Sequence, residues 1–495
     1  VDSDNHKTTN SQYIIEKLED LQYEVDTLSA ELAEIYNSKS WRLIILYRRL
    51  GYQYKRTRQL LNTLTLKIRS GAFPLLIRKT FRVFQDLGIS GVTALVNEEL
   101  IKVEKPTQDI NETLKPALEK DSYHLINKVE RPGILFISHE ATRTGAPVFL
   151  LTLLRYLTGK LDMEFYILLR RGGELIDEFQ KIGTTIVLDV PERIDALTMH
   201  NLKKRNIKLI YSNTITNGLI QKQLKRLNCP ILCHVHELSY SIKNFFGDDN
   251  AQYAKATTSL FLAGSNAVLK SLTHDLNIPK EKIILSYPFI KAKDNHLLTR
   301  NDTLLLNDIP KDTLVIGACG TITWRKGPDI FLQVARQVIS NANRPVAFVW
   351  VGGPLYNKDY FNLHYDAKMM GIDKQVIFTG NVSSHIRYLS HFDIFLLTSR
   401  EDPFPLVALD AASLSIPIVC FNQAGGTPEL VESDAGIVVP YLEVDTMATA
   451  LLKLMQNDSL RQEFGKCAQK KVLERHDSLI GGEHILKIIK QQLGD

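Results

Sequence analysis

From Gly133 onward, short apolar runs rich in β-branched and aromatic residues alternate with amphipathic stretches of helical length. That alternation confines the chain to an α/β fold on parallel sheets, because parallel strands need crossover helices and those helices cover both sheet faces. A first set of strands is predicted at 134–138, 165–169, 185–188, 209–212, 231–235, 260–263 and 283–286. A polar segment near 291–312 precedes a second set at 314–319, 346–351, 376–379, 394–398, 418–421 and 436–439. Two Rossmann-like, doubly wound domains facing one another across a cleft are therefore expected over 132–300 and 301–475, with a closing helix over 476–495. In open α/β sheets ligands bind beyond the C-terminal ends of the strands, so the chemistry should sit on the loops leaving those ends.

At 495 residues the chain accommodates both domains and an additional N-terminal module, and its 44% hydrophobic content is that of a globular protein. No apolar run approaches the roughly 18 residues that cross a bilayer, and no secretory signal pattern opens the chain. The expected location is cytoplasmic. Cys229, Cys233, Cys319, Cys420 and Cys467 are odd in number and lie mostly in apolar strand-like runs, which points to reduced, buried thiols. The chain begins with Val1 rather than methionine, which leaves open that it is a piece of a longer polypeptide.

The net charge of +5 conceals an asymmetry: residues 1–35 hold nine acids and two lysines, whereas residues 36–85 hold twelve Lys/Arg and no acid. Within the acidic part, Ile14, Leu18, Leu21, Val25, Leu28, Leu32 and Ile35 repeat with a/d heptad spacing. A coiled coil over 1–38 is expected, making the chain a homo-oligomer through residues 14–35; the alternative is an amphipathic helix folded back onto the body. A basic helical module is expected over 39–100, with Trp41, Tyr47, Tyr52 and Tyr54 interleaved among the cations of 39–85. Such a segment suits an anionic membrane surface, placing the protein peripherally on the inner face of the membrane, or else packs as a solvated helix against the body. No base-reading module accompanies it, so nucleic acid is not the expected partner. The polar stretch 101–131, with Pro106 and Pro116, reads as a linker.

The loops after the strands carry the candidate site. In Arg400–Asp410, Asp402 is expected to cap a helix whose first residue is Pro403, with Asp410 eight residues along. Helical geometry would set the two acids about 12 Å apart along the axis and about 80° apart around it. The spacing suits a ligand with hydroxyls at both ends and negative charge between them, such as a nucleotide sugar resting its diphosphate on free backbone N–H groups. A plain cap and a solvated acid are the alternative. After the first strand, Ser138–Pro147 contains Gly145 as a helix begins from Ala146; it lacks the G-x-G-x-x-G spacing of a dinucleotide site and otherwise reads as an ordinary turn. His234 and His236 share one face of a strand, but no further metal ligands stand at suitable spacing. Gly317–Gly327 brings Arg325 and Lys326 after the second domain's first strand, and Asn422–Leu430 brings Gly425, Gly426, Thr427 and Glu429 after a later one. Asp2 and Asp4, the only Asp-x-Asp, stand in a polar terminus.

Taken in this order, these motifs resemble those of retaining glycosyltransferases with the GT-B fold, specifically glycosyltransferase family 4, across about residues 133–475. The family's acid-x7-acid pair is usually two glutamates; here it is Asp402 and Asp410. The resemblance implies that Asp402 faces the donor sugar and Asp410 the ribose, and that Lys326 binds the diphosphate. Thr321 stands where the family commonly has an arginine, and Arg325 is the expected substitute. His236 would approach the donor sugar. Gly145, Phe404, Pro405, Leu406, Gly425, Gly426, Thr427 and Glu429 would line the donor site. The implied reaction moves a sugar from a nucleotide-diphosphate donor to a glycan or lipid-linked acceptor, with retained configuration, no cofactor and no metal. A GT-B hydrolase or epimerase of nucleotide sugars and a catalytically weakened sugar-nucleotide-binding scaffold are the alternatives. Ser38–Leu50 also resembles the segment preceding glycosyltransferase domains in bacterial surface-polysaccharide proteins.

Overall fold

A computed structural model describes residues 131–292, 309–310, 312–355 and 357–494. The coiled-coil, basic-module and linker readings on residues 1–130 lie outside them. Among the described residues, the first sheet contains β1 (Gly133–Ser138), β2 (Glu164–Leu169), β3 (Thr184–Val187), β4 (Ile207–Ser212), β5 (Ile231–Val235), β6 (Leu260–Ala263) and β7 (Ile283–Leu285). They run parallel in the order β3-β2-β1-β4-β5-β6-β7. The second contains β8 (Leu314–Cys319), β9 (Val346–Val351), β10 (Val376–Phe378), β11 (Ile394–Leu397), β12 (Ile418–Phe421) and β13 (Gly436–Val439). Its strands, also parallel, follow the order β10-β9-β8-β11-β12-β13. These are two doubly wound Rossmann-like lobes, the arrangement of the GT-B fold.

The strands form where their apolar runs place them because both faces are covered. Every residue of β1, β8 and β9 is buried. Side-chain alternation along each strand feeds two cores: Leu314, Ile316 and Ala318 enter one cluster with Phe331, Phe348 and Trp350, while Val315 and Cys319 enter the other with Phe395, Leu409 and Cys420.

Helices that bear on the site are α1 (Gly145–Leu157), α2 (Asn266–Lys270), α3 (Pro328–Asn341), α4 (Leu406–Ser413), α5 (Thr427–Val431), α6 (Asp458–Arg475) and α7 (Ser478–Leu493). α3 begins with Pro at its first turn, where a missing N–H costs nothing. α7 returns to the first lobe, where Ile485, Leu486, Ile488 and Ile489 join Phe149, Leu153 and Phe289 in its core. A Cβ on Gly482 would stand 2.5 Å from the Tyr156 ring, so glycine there permits the close approach. The chain thus crosses between lobes twice, and the crossings are bonded together: Ile290 N–H donates to the His476 carbonyl at 3.0 Å and Ser478 N–H to the Ile290 carbonyl at 2.8 Å.

One local expectation is corrected. The helix near the two acids starts at Leu406, with Pro405 at its N-cap, and not at Pro403 behind an Asp402 cap. Residues preceding proline are driven from the α region toward extended geometry, and both Asp402 and Phe404 precede proline. Held extended, Asp402 pairs in parallel with Gly425 instead.

Candidate active site

In the second lobe the strand order reverses between β8 and β11, the switch point at which such sheets open a crevice. The loop after β8 carries Arg325 and Lys326; the loop after β11 carries Glu401 and Asp402. Gly327, with φ +68°, ends the first loop so near β11 that a Cβ would stand 2.1 Å from the Thr398 carbonyl oxygen. The two loops therefore meet. Lys326 Nζ lies 2.5 Å from Asp402 Oδ2, and Arg325 Nη1 lies 3.8 Å from Oδ1. Ser399 Oγ donates to the same Oδ2 at 3.3 Å, and Arg325 Nη1 donates to the Glu401 carbonyl at 2.8 Å. Asp402 is only 5% exposed. The other nearby cation is committed: Arg400 grips Asp329 with both Nη atoms, at 2.9 and 2.6 Å, and lies over the Trp324 ring. Arg325 and Lys326 thus both face Asp402, while the neighbouring Glu401 turns its carboxylate to Ser241. Thr321 is exposed in the same loop.

The loop after β12 closes onto this turn. Asp402 N–H donates to the Ala424 carbonyl at 2.7 Å and Gly426 N–H to the Pro403 carbonyl at 2.9 Å. Gly425 adopts φ +147°, and a Cβ there would stand 1.6 Å from the Asp402 carbonyl oxygen. Only glycine lets the strands approach so closely. Thr427 is buried at the start of α5. Pro405 and Leu406 open α4. Phe404 is buried, its ring 5.8 Å from Tyr287 and 5.1 Å from His476. Asp410, on α4, points one carboxylate oxygen at His385 Nε2, 2.8 Å away. Glu429 receives hydrogen bonds from the first lobe: Asn266 N–H at 3.0 Å, Asn266 Nδ2 at 2.7 Å and Tyr287 Oη at 2.7 Å.

The first lobe has its own switch point, between β1 and β4. Gly145 opens α1, and a Cβ added there meets nothing within 4 Å. His236, just past β5, is half-buried; its Nε2 lies 3.2 Å from Asn213 Oδ1, while Asn213 Nδ2 donates to the Ala146 carbonyl at 2.7 Å. Because the asparagine offers its oxygen, His236 carries its proton on Nε2 and leaves Nδ1 as an acceptor. Burial and the adjacent His234 and His139 hold His236 well below the usual imidazole range, so the ring is neutral. Burial raises Glu237, which nevertheless accepts from Thr214 Oγ1 and from His236 N–H. In the loop after β1, His139 and two threonines pull Glu140 down to about 2, against the opposing effect of burial. His234 has both ring nitrogens engaged, by Tyr211 Oη at 2.7 Å and the Ser286 carbonyl at 3.1 Å. Among the described residues, no three His, Cys, Asp or Glu side chains group so as to hold a metal ion. All five cysteines are free, three of them buried.

Several participants carry no local sequence signal. Glu401 reaches Ser241 across the cleft, accepting from its backbone N–H at 3.2 Å and from its hydroxyl. Asn213, Asn266, Tyr287 and His385 likewise join the site only through partners far away in sequence.

Residues 306–471 match the family model described as glycosyl transferases group 1. The chain is 24% identical over 231 residues to the capsular polysaccharide biosynthesis glycosyltransferase CapM of Staphylococcus aureus, covering 44% of this chain and 59% of that protein. It is 23% identical over 303 residues to the O-antigen biosynthesis glycosyltransferase WclY of Escherichia coli, covering 58% of this chain and 80% of that one. Among solved structures, Anabaena HepE in complex with UDP-glucose superposes with a TM-score of 0.64 at 19% identity, over 73% of this chain and all of that one. The chain has the GT-B fold, and its residues 306–471 match glycosyl transferases group 1.

Proposed function

We propose that this protein transfers a sugar from a nucleotide-diphosphate sugar to an acceptor hydroxyl, with retention at the anomeric carbon. The observation that carries the reading is the convergence of Lys326, Arg325 and Asp402 at the second lobe's switch point, with Gly425 and Gly426 closed onto the same turn. Lys326 and Arg325 bind the diphosphate and stabilise it as charge develops on the leaving oxygen. Asp402 faces the donor sugar, Asp410 with His385 the ribose, and His236 and Gly145 the sugar from the first lobe. Phe404, Thr427 and Glu429 support the donor loops, and Pro405 and Leu406 present the start of α4. In the step itself the bond from the anomeric carbon to the diphosphate oxygen breaks, the acceptor oxygen bonds to that carbon on the same face, and the acceptor proton passes to the departing phosphate oxygen. No side-chain nucleophile is required.

CapM and WclY bear names in capsular polysaccharide and O-antigen biosynthesis, and HepE was crystallised with UDP-glucose. We take a cell-surface glycan or its lipid-linked precursor as the acceptor and a uridine diphosphate sugar as the first donor to try. The partition into 132–300, 301–475 and 476–495, and the coiled-coil and membrane-surface roles of the N-terminal region, belong to the same proposal. Product analysis by NMR, with and without an acceptor glycan, tests the reaction. A new glycoside with the donor's configuration supports it. Free sugar or an epimerised donor as the sole product would indicate the hydrolase or epimerase instead, and nucleotide-sugar binding without turnover would indicate the scaffold.

A further inference from the structure

Glu429 stands in the loop that closes on Asp402, yet its carboxylate is turned to the first lobe and receives the Asn266 backbone N–H, the Asn266 amide and the Tyr287 hydroxyl. The Asn266 N–H belongs to the first residue of α2, a donor with no intrahelical partner. Ser265 caps the same helix end through Val268 N–H at 3.1 Å, leaving the Asn266 N–H for Glu429. Tyr287 follows β7 at the first interlobe crossing, and its ring contacts both Phe404 and His476. Burial and the facing Glu429 push the Tyr287 hydroxyl upward in pKa, so it remains a donor. On the loop itself, a Cβ at Gly426 would meet the Phe404 ring at 2.4 Å and Ser265 Cβ at 2.7 Å, so this loop is wedged between its own lobe and the other.

We propose that Tyr287 and Asn266 are positioning residues which, through Glu429, hold the Gly425–Gly426 loop against the Asp402 turn and keep the lobes closed over the donor site. Glu429 then acts on the opposite lobe and not directly on the donor. The contacts are partly solvent-exposed, so the latch is weak enough to release and re-form in each cycle. This inference rests on the donor-binding reading for its affinity arm only; its structural arm needs no ligand.

The test uses full-length protein carrying Tyr287→Phe, Glu429→Gln or both, with thermal melting to verify that each is folded. Interlobe distance is read without ligand by fluorescence transfer between one dye on each lobe, and UDP-glucose affinity by calorimetry. Both single variants should shift the distance distribution to larger separations. Both should weaken UDP-glucose by a similar factor of about five, with the double variant no worse than either, because each lowers the population of the closed, binding-competent state. The inference is overturned if Tyr287→Phe leaves distance and affinity unchanged, or if Glu429→Gln alone weakens the donor while the lobes stay closed. If the wild-type protein binds no nucleotide sugar, the donor-binding reading falls while the ligand-free distances still decide the latch.

Discussion

Asp402 is 5% exposed, and a carboxylate so withdrawn from water persists because Lys326 and Arg325 face it and Ser399 donates to it. In the proposed reaction Lys326 has two tasks, balancing Asp402 and meeting the donor diphosphate. Removing either partner separates them. Lys326→Ala leaves the acid buried beside Arg325 alone and should cost about 3 kcal/mol of stability by chemical denaturation, with Lys326→Met no better. Asp402→Asn removes the competitor for Lys326; UDP should bind at least as tightly while transfer falls about 100-fold, a loss in kcat without a rise in KM. Weaker UDP binding by Asp402→Asn would mean that the acid organises the diphosphate site instead of facing the sugar. The sequence marked Asp402, Lys326 and the glycines because each stands in a motif at a strand end. It did not mark Glu401, Asn213 or Tyr287, whose partners lie 160, 23 and 142 residues away.

Secondary-structure elements were legible to the extent that burial alone defines them. β8, β9, β12 and β13 start and end where their apolar runs do, since strands covered on both faces show continuous hydrophobicity. α4 was misplaced because its start depends on two prolines and on pairing with Gly425, a partner supplied by another loop. The crossing element built around His476 carries a pH dependence. His476 donates from Nδ1 to the Pro288 carbonyl at 3.0 Å, and burial lowers its pKa to about 4. The unfolded chain, with an ordinary imidazole near 6.5, takes the proton first, so stability is fullest above about pH 6.5 and falls as pH drops toward 4. The slope is at most about 1.4 kcal/mol per pH unit for this residue. His234, lowered by burial to about 3, acts in the same direction further into acid. Glu237, raised by burial, opposes both above its unfolded value, and Glu140, held near 2, adds a loss below about pH 4.5. Melting temperature should thus fall from pH 7.5 to 5.5, and His476→Gln should flatten that fall. An unchanged slope in the variant would place the proton uptake elsewhere.

For the molecule as a whole, two Rossmann-like lobes were readable from the alternation of strand and helix patterns, whereas the way they grip one another was not. The grip is made by single polar side chains, Glu401 on Ser241 and Glu429 on Asn266 and Tyr287, and by α7 returning to the first lobe's core. None of these leaves a periodic trace. No helix among the described residues is long and apolar enough to cross a membrane, and the charged N-terminal region lies outside them. The proposed reaction rests on one place at the second lobe's switch point, where Lys326 and Arg325 meet Asp402 and, as proposed, receive the donor diphosphate. Calorimetric titration of the full chain and of Lys326→Ala with a panel of nucleotide-diphosphate sugars tests this most directly. The account predicts saturable one-to-one binding of at least one sugar nucleotide to the wild type and its loss in the variant; binding of none, or equal binding by both proteins, would contradict it.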